Sequence, residues 1–159
     1  MENNNICNEI ILDGIVRVDI IPCSECNIPV PFSVPDITEI GQCTFGSPAL
    51  TISSTGDADA VFDTAPTLKN TEKTESAGRV RTHELSVPVS AGFEAVRKAS
   101  AVLSGIDFYI LWTTVGGKRY MAYTLPNTSV ISLEDQMAEV TAQTLKCTVK
   151  SMSGIIEVK

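Results

Sequence analysis

Short runs in which apolar and polar positions alternate dominate this chain, and only one stretch carries a helical period. "ICNEIILDGIVRVDIIPC" (6–23) is rich in Ile and Val, with Asp13-Gly14 marking a turn or bulge and Pro22 stopping the run, so it predicts two strands or one bent one. Residues 23–48 break the pattern. Prolines at 29, 31, 35 and 48 and cysteines at 23, 26 and 43 predict an irregular segment from which Ile37, Ile40 and Phe45 dip into the core. "ALTISS" (49–54) predicts a short strand, "TGDADA" a loop and "VFDTAP" (61–66) an extended piece.

The next stretch, "TLKNTEKTESAGRVRTHELSVPV" (67–89), spells a long hairpin around a turn at Ser76-Ala77-Gly78. In its second arm Leu85, Val87 and Val89 share one face, and Arg79, Arg81 and His83 continue that face in polar form. The first arm, "KNTEKTES", has no apolar alternation. An arm of about ten residues spans roughly 33 Å, so the tip is expected to project past the body of the domain. Such a projection costs chain entropy without burying apolar area at home. That cost makes sense where other copies of the chain pair with the hairpin or where it lines a water-filled passage, the plainer alternative being a mobile solvated loop. Glu72, Lys73, Glu75, Arg79, Arg81 and His83 are its candidate interaction residues.

A helix follows over about 91–104, with Ser90 as its predicted cap, Phe93, Val96, Ala99, Val102 and Leu103 as its apolar stripe and Gly105 closing it. "DFYILWTT" (107–114) and "RYMAYTL" (119–125) form a β-hairpin whose Gly116-Gly117 supplies positive φ angles. Three further strands complete the chain: "TSVISL" (128–133), "AEVTAQTLKCTVKSM" (138–152) and "GIIEVK" (154–159). Eight to ten strands around one helix predict a mainly β fold, an antiparallel β-sandwich or half-open barrel with one flanking helix. Antiparallel pairing follows from links too short for parallel crossovers.

Composition narrows the function classes. At 159 residues, 43% hydrophobic and 19% charged, the chain fits one β-rich domain spanning 1–159. Its net charge of −7 disfavours a phosphate-binding surface, because affinity for nucleic acid rests on Lys and Arg. No run approaches the roughly 18 to 20 apolar residues of a membrane span, and "MENNNICNEI" lacks a basic region followed by an apolar run, so a soluble intracellular protein is expected.

Catalytic and metal chemistry find little footing. The single histidine, His83, lies mid-strand with Glu84 pointing to the opposite face, and no nucleophile elbow accompanies it. It is expected as a surface or interface imidazole rather than a catalytic one. "TVGGKRY" precedes a strand where a phosphate loop would precede a helix, and "DAD" lacks the distal ligands of a calcium loop. Trp112 and Tyr109 fall on opposite faces of one strand, which suits a core tryptophan. Five cysteines, an odd count, argue against a disulfide framework. Cys7, Cys23, Cys26 and Cys43 are the one conceivable zinc set, but structural sites take their ligands as two close pairs, and here only "CSEC" is close. Ordinary thiols, no cofactor and no enzymatic activity are the expectation.

The order of elements over roughly 60–159, a polar hairpin ending in "THELSVPV", the short helix "FEAVRKASAVL", then "DFYILWTT", "KRYMAYTL" and a β-rich tail, resembles the tail-tube and related tail proteins of bacteriophages and prophages. The resemblance implies a small β-sandwich virion protein that self-assembles as a ring, commonly a hexamer, alongside other virion proteins. It further implies non-specific DNA cargo, no membrane, and a location in the cytoplasm of the bacterial host and then the virion. An acidic chain suits a conduit that must not hold phosphates. The alternative is a monomeric β-domain that binds a metal or small ligand through its Cys-rich N-terminal part.

Overall fold

The computed structural model describes residues 14–26, 45–55, 58–62, 66–75, 78–122, 124–125, 127–137, 141–151 and 155–158. The strands are β1 (Ile15–Pro22), β2 (Leu50–Ser53), β3 (Ala60–Phe62), β4 (Thr67–Glu75), β5 (Gly78–Ala91), β6 (Phe108–Thr114), β7 (Arg119–Ala122), β8 (Val130–Met137), β9 (Thr141–Ser151) and β10 (Ile155–Val158). One α-helix, α1 (Phe93–Leu103), and a 3-10 turn at Cys23–Glu25 complete the described elements. All ten strands join one open sheet in the order β10-β7-β6-β1-β2-β3-β5-β9-β8, with β4 paired to β5. The expected mainly β fold, a half-open barrel with one helix, is what forms.

Every pair is antiparallel except β2 and β3, which meet in parallel over Ile52↔Ala60 and Ser53↔Val61 despite a short link. The central pair β1–β6 sets Val18 opposite Trp112 and Ile20 opposite Ile110, all buried. Period-two alternation turns these residues into one core with Leu50, Ile52, Leu85, Val87, Leu145, Cys147 and Val149. Ile21, Tyr109, Leu111, Met121 and Val158 form a second cluster, against which Cys23, Cys26 and Phe45 pack. Trp112 and Tyr109 therefore do take opposite faces, one in each cluster, and Trp112 stacks on Tyr120 at 6.2 Å.

The helix begins later than predicted. β5 runs on to Ala91, so Ser90 is still a strand residue and its hydroxyl donates to the Phe62 carbonyl at 3.1 Å instead of capping. Gly92 caps the helix, at φ 84. A Cβ there would lie 2.4 Å from the Asp59 carbonyl oxygen, so both the conformation and the space require glycine. Val96, Ala99 and Leu103 form the buried stripe, while Val102 is 62% exposed. It lies about 100° round the helix from Leu103, which takes it off a stripe of this width. The buried side faces β2, β3 and β8. At the β6–β7 turn, Gly117 alone of the two glycines has a positive φ, 83°, and its N–H donates to the Thr114 carbonyl at 2.9 Å. No described helix is long and apolar enough to cross a membrane.

Candidate assembly surface

β4 and β5 pair over nine positions, from Thr67↔Ser86 to Glu75↔Gly78. Alternation sorts them into two faces. Leu68–Leu85, Asn70–His83 and Glu72–Arg81 lie towards the core side, and Thr67–Ser86, Lys69–Glu84 and Thr71–Thr82 lie on the other. On its far edge β5 is laddered to β9 from Val89↔Gln143 as far as Arg81↔Ser151.

The second arm is thus anchored well beyond its apolar part. The hairpin extends past the described end of β9 only by the pairs Lys73↔Val80, Thr74↔Arg79 and Glu75↔Gly78. That is about 10 Å of strand, a shorter projection than the sequence predicts. The cause is a non-local pairing: β9 supplies a partner for the polar part of β5. Among the described residues β4 has no such partner on its outer edge, and Lys69 to Thr74 are all exposed. It is a nine-residue edge strand, the kind of element that pairs with another chain unless its side chains prevent it.

His83 is not the surface imidazole expected. It is 1% exposed, opposite Val149 of β9. Its Nδ1 lies 2.6 Å from Asn70 Oδ1 and its Nε2 lies 3.4 Å from Ser151 Oγ. An amide oxygen can only accept, so Nδ1 carries the proton and Nε2 is left as acceptor for the Ser151 hydroxyl: a neutral ring bonded on both sides. Burial, then the nearby Arg81 charge, push its pKa down to about 4. Ser151, His83 and Asn70 follow the order of hydroxyl, imidazole and orienting group, but Ser151 is fully buried, out of reach of a substrate. The trio ties edge strand β4 to β5 and β9. Glu84 is exposed on the opposite face, as alternation predicts.

Among the other candidate residues, Arg81 and Glu72 meet across the strands at 3.2 Å, and Lys73 is exposed at the tip. Glu75 and Arg79 hold ladder positions near the turn, but their side chains, with residues 76–77, lie outside the described residues.

The structure separates the cysteines by role. Cys23 opens the 3-10 turn, Cys26 follows it, and both are half-buried over the second apolar cluster. Burial pushes the Cys23 thiol up to about 12 against a hydrogen bond from Tyr109, and it raises Cys26 as well. Both are protonated at neutral pH, so a metal held there would have to displace their protons. Cys147 is core packing, its thiol raised to about 12 by burial. Cys7, Cys43 and the intervening Pro-rich stretch 27–42 lie outside the described residues. Among the described residues no three His, Cys, Asp or Glu side chains gather as a metal site.

No protein-family model matches the chain, and no curated protein or solved structure matches it either.

Proposed function

We propose that the chain is a phage-type virion structural protein, a tail-tube or related tail or neck component, that self-assembles into rings and catalyses no reaction. The observation that carries this reading is β4: nine residues laddered on one side only among the described strands, exposed from Lys69 to Thr74, and backed by a continuous sheet that holds it in place. An ordered edge that is polar from Lys69 to Thr74, with Val80 opposite Lys73 the buried apolar residue among the described side chains of the tip, gains free energy from pairing with another chain, since its own fold offers it little. Other copies of the chain and other virion proteins are the proposed partners, with DNA as non-specific cargo. Assembly would begin in the cytoplasm of the bacterial host and end in the virion.

The test is to excise the tip and keep its anchor. Replacing Lys73 to Val80 by Asn-Gly retains the Asn70–His83 and Glu72–Arg81 pairs and closes the strands with a two-residue turn. Full-length protein is expected to form rings by sedimentation velocity and electron microscopy. The shortened protein, which loses buried Val80, should still melt cooperatively, at a somewhat lower temperature, and remain monomeric. Rings formed equally by both proteins, or a full-length chain that stays monomeric at the highest attainable concentration, would overturn the proposal.

A further inference from the structure

We infer that the face of β4, β5, β9 and β8 turned away from the core is a docking surface for the acidic surface of a second copy of this chain, in a head-to-tail contact. The inference rests on the self-assembly reading and says which face makes the contact and with what chemistry.

Cross-strand register builds this face. One row runs Lys69–Glu84–Thr148–Val130, the next Thr67–Ser86–Lys146–Ser132, and a third sets Thr82 between Thr71 and Lys150. Lys69, Lys73, Lys146 and Lys150 are all exposed here, against the exposed acids Glu84 and Glu134. Among the described residues only Lys146 is satisfied, by Glu134 at 2.7 Å. Lys69, Lys73 and Lys150 have no ion-pair partner among the described residues. Between Lys69 and Lys146 the surface dips into a hollow of about 260 Å³ lined also by Thr67, Glu84, Ser86 and Thr148. In a chain of net charge −7 the described side chains of this face are cationic, four lysines to two carboxylates, so the rest of the chain is more acidic than the chain as a whole.

That imbalance selects the occupant and the geometry. Two such faces repel one another, so a twofold contact that sets this patch against itself is disfavoured; the patch must meet a different, acidic surface. A heterologous contact of that kind closes a ring or runs on as a filament. Size points the same way. Four strands about 4.8 Å apart and roughly 28 Å long give about 500 Å² of face, below the ~800 Å² per partner of a stable two-body complex. A contact this small gains its strength from repetition around a ring. Nucleic acid is the poorer fit, since two carboxylates are interleaved with the lysines, the described face has no aromatic side chain for stacking, and the whole chain repels a polyanion at range.

Lys69→Glu/Lys150→Glu reverses charge at two exposed positions that hold nothing within the described fold, with Lys69→Arg/Lys150→Arg as the charge-preserving control. Sedimentation of each full-length protein between low and high salt, together with its thermal melt, reads the outcome. Wild type and the Arg control should self-associate and weaken as salt rises. The Glu variant should melt normally and associate at least about tenfold more weakly, because like charges then face one another. Should the Glu variant misfold, Lys69→Gln/Lys150→Gln takes its place, with a smaller loss expected in the same direction. Wild-type-like association of a folded Glu or Gln variant would overturn this inference while leaving the assembly reading intact. A monomeric wild type would overturn both. Lysine-dependent retardation of duplex DNA by a monomeric wild type would instead make nucleic acid the occupant.

Discussion

Lowering the pH from 7.5 to 5 should destabilise the fold through His83 before most carboxylates begin to titrate. The ring is buried, neutral and bonded on both sides, so the native state refuses a proton that the unfolded chain accepts. Its pKa falls from 6.5 to about 4 on folding. A depressed histidine pKa leaves stability intact above the unfolded value and removes it as pH falls through the window between the two. A gap of that size corresponds to roughly 3 kcal/mol when complete, of which about 2 kcal/mol is lost by pH 5. Few charges around the ring oppose this. Arg81 on β5 disfavours protonation, Glu72 on β4 is already engaged with Arg81, and among the described residues β9 sets Val149 and Ser151 beside the ring. Urea unfolding followed through the fluorescence of the single tryptophan, buried Trp112, measures the loss directly. His83→Gln, which has no proton to gain, supplies the reference: its stability should be lower at pH 7.5 but should fall about 2 kcal/mol less on going to pH 5. Parallel pH profiles for the two proteins, or an imidazole that titrates near 6.5 in the folded state, would refute the reasoning.

The helix face is tested by a neighbouring pair: Leu103→Ala, at a fully buried position, should cost about 2–5 kcal/mol, whereas Val102→Ala, one residue earlier and exposed, should change the urea midpoint little. Gly92→Ala should cost at least about 2 kcal/mol in the same assay, since it combines a left-handed backbone with a Cβ driven into the Asp59 carbonyl. Purified protein is expected to contain no stoichiometric zinc by elemental analysis, and a chelator should leave its unfolding midpoint unmoved; one zinc per chain would favour a metal-binding role for the Cys-rich part. Glu72→Ala, which removes half of a part-exposed ion pair, should change stability by less than about 1 kcal/mol.

Local pattern carried the reading of the fold wherever it sufficed. The β6–β7 hairpin announces itself by strands flanking a glycine turn, and α1 by three buried residues at helical spacing. Ser90 misled because β5 outruns its apolar part by two residues, and only the left-handed Gly92 ends it. His83 misled for a different reason. Its burial depends on β9, some 66 residues further along the chain, and no local period reports a pairing of that range. One local signal did exist. A turn at 76–78 would pair Asn70 with Glu84, whereas the observed Glu75↔Gly78 register leaves two residues between the arms and sets Asn70 opposite His83. A slip of one residue exchanges the faces of a strand, so turn length decides whether the Asn70 amide meets the His83 imidazole or the Glu84 carboxylate.

The same register explains how a hairpin with so little apolar content holds its shape. β5 is secured by β9, and β4 is then secured to β5 by the Asn70–His83 bond and the Glu72–Arg81 pair. Neither contact buries much apolar area, so both fix geometry more than they add stability. What results is an ordered edge bearing Lys69, Glu72 and Lys73, and charges on an edge discourage pairing with an arbitrary strand. Only a partner whose charges alternate in the complementary sense escapes that penalty. The cationic face beside β4 imposes the same condition on whatever lies against it. Edge and face together therefore favour an occupant that is acidic, β-structured and fixed in register, and another copy of this acidic, strand-rich chain has those properties.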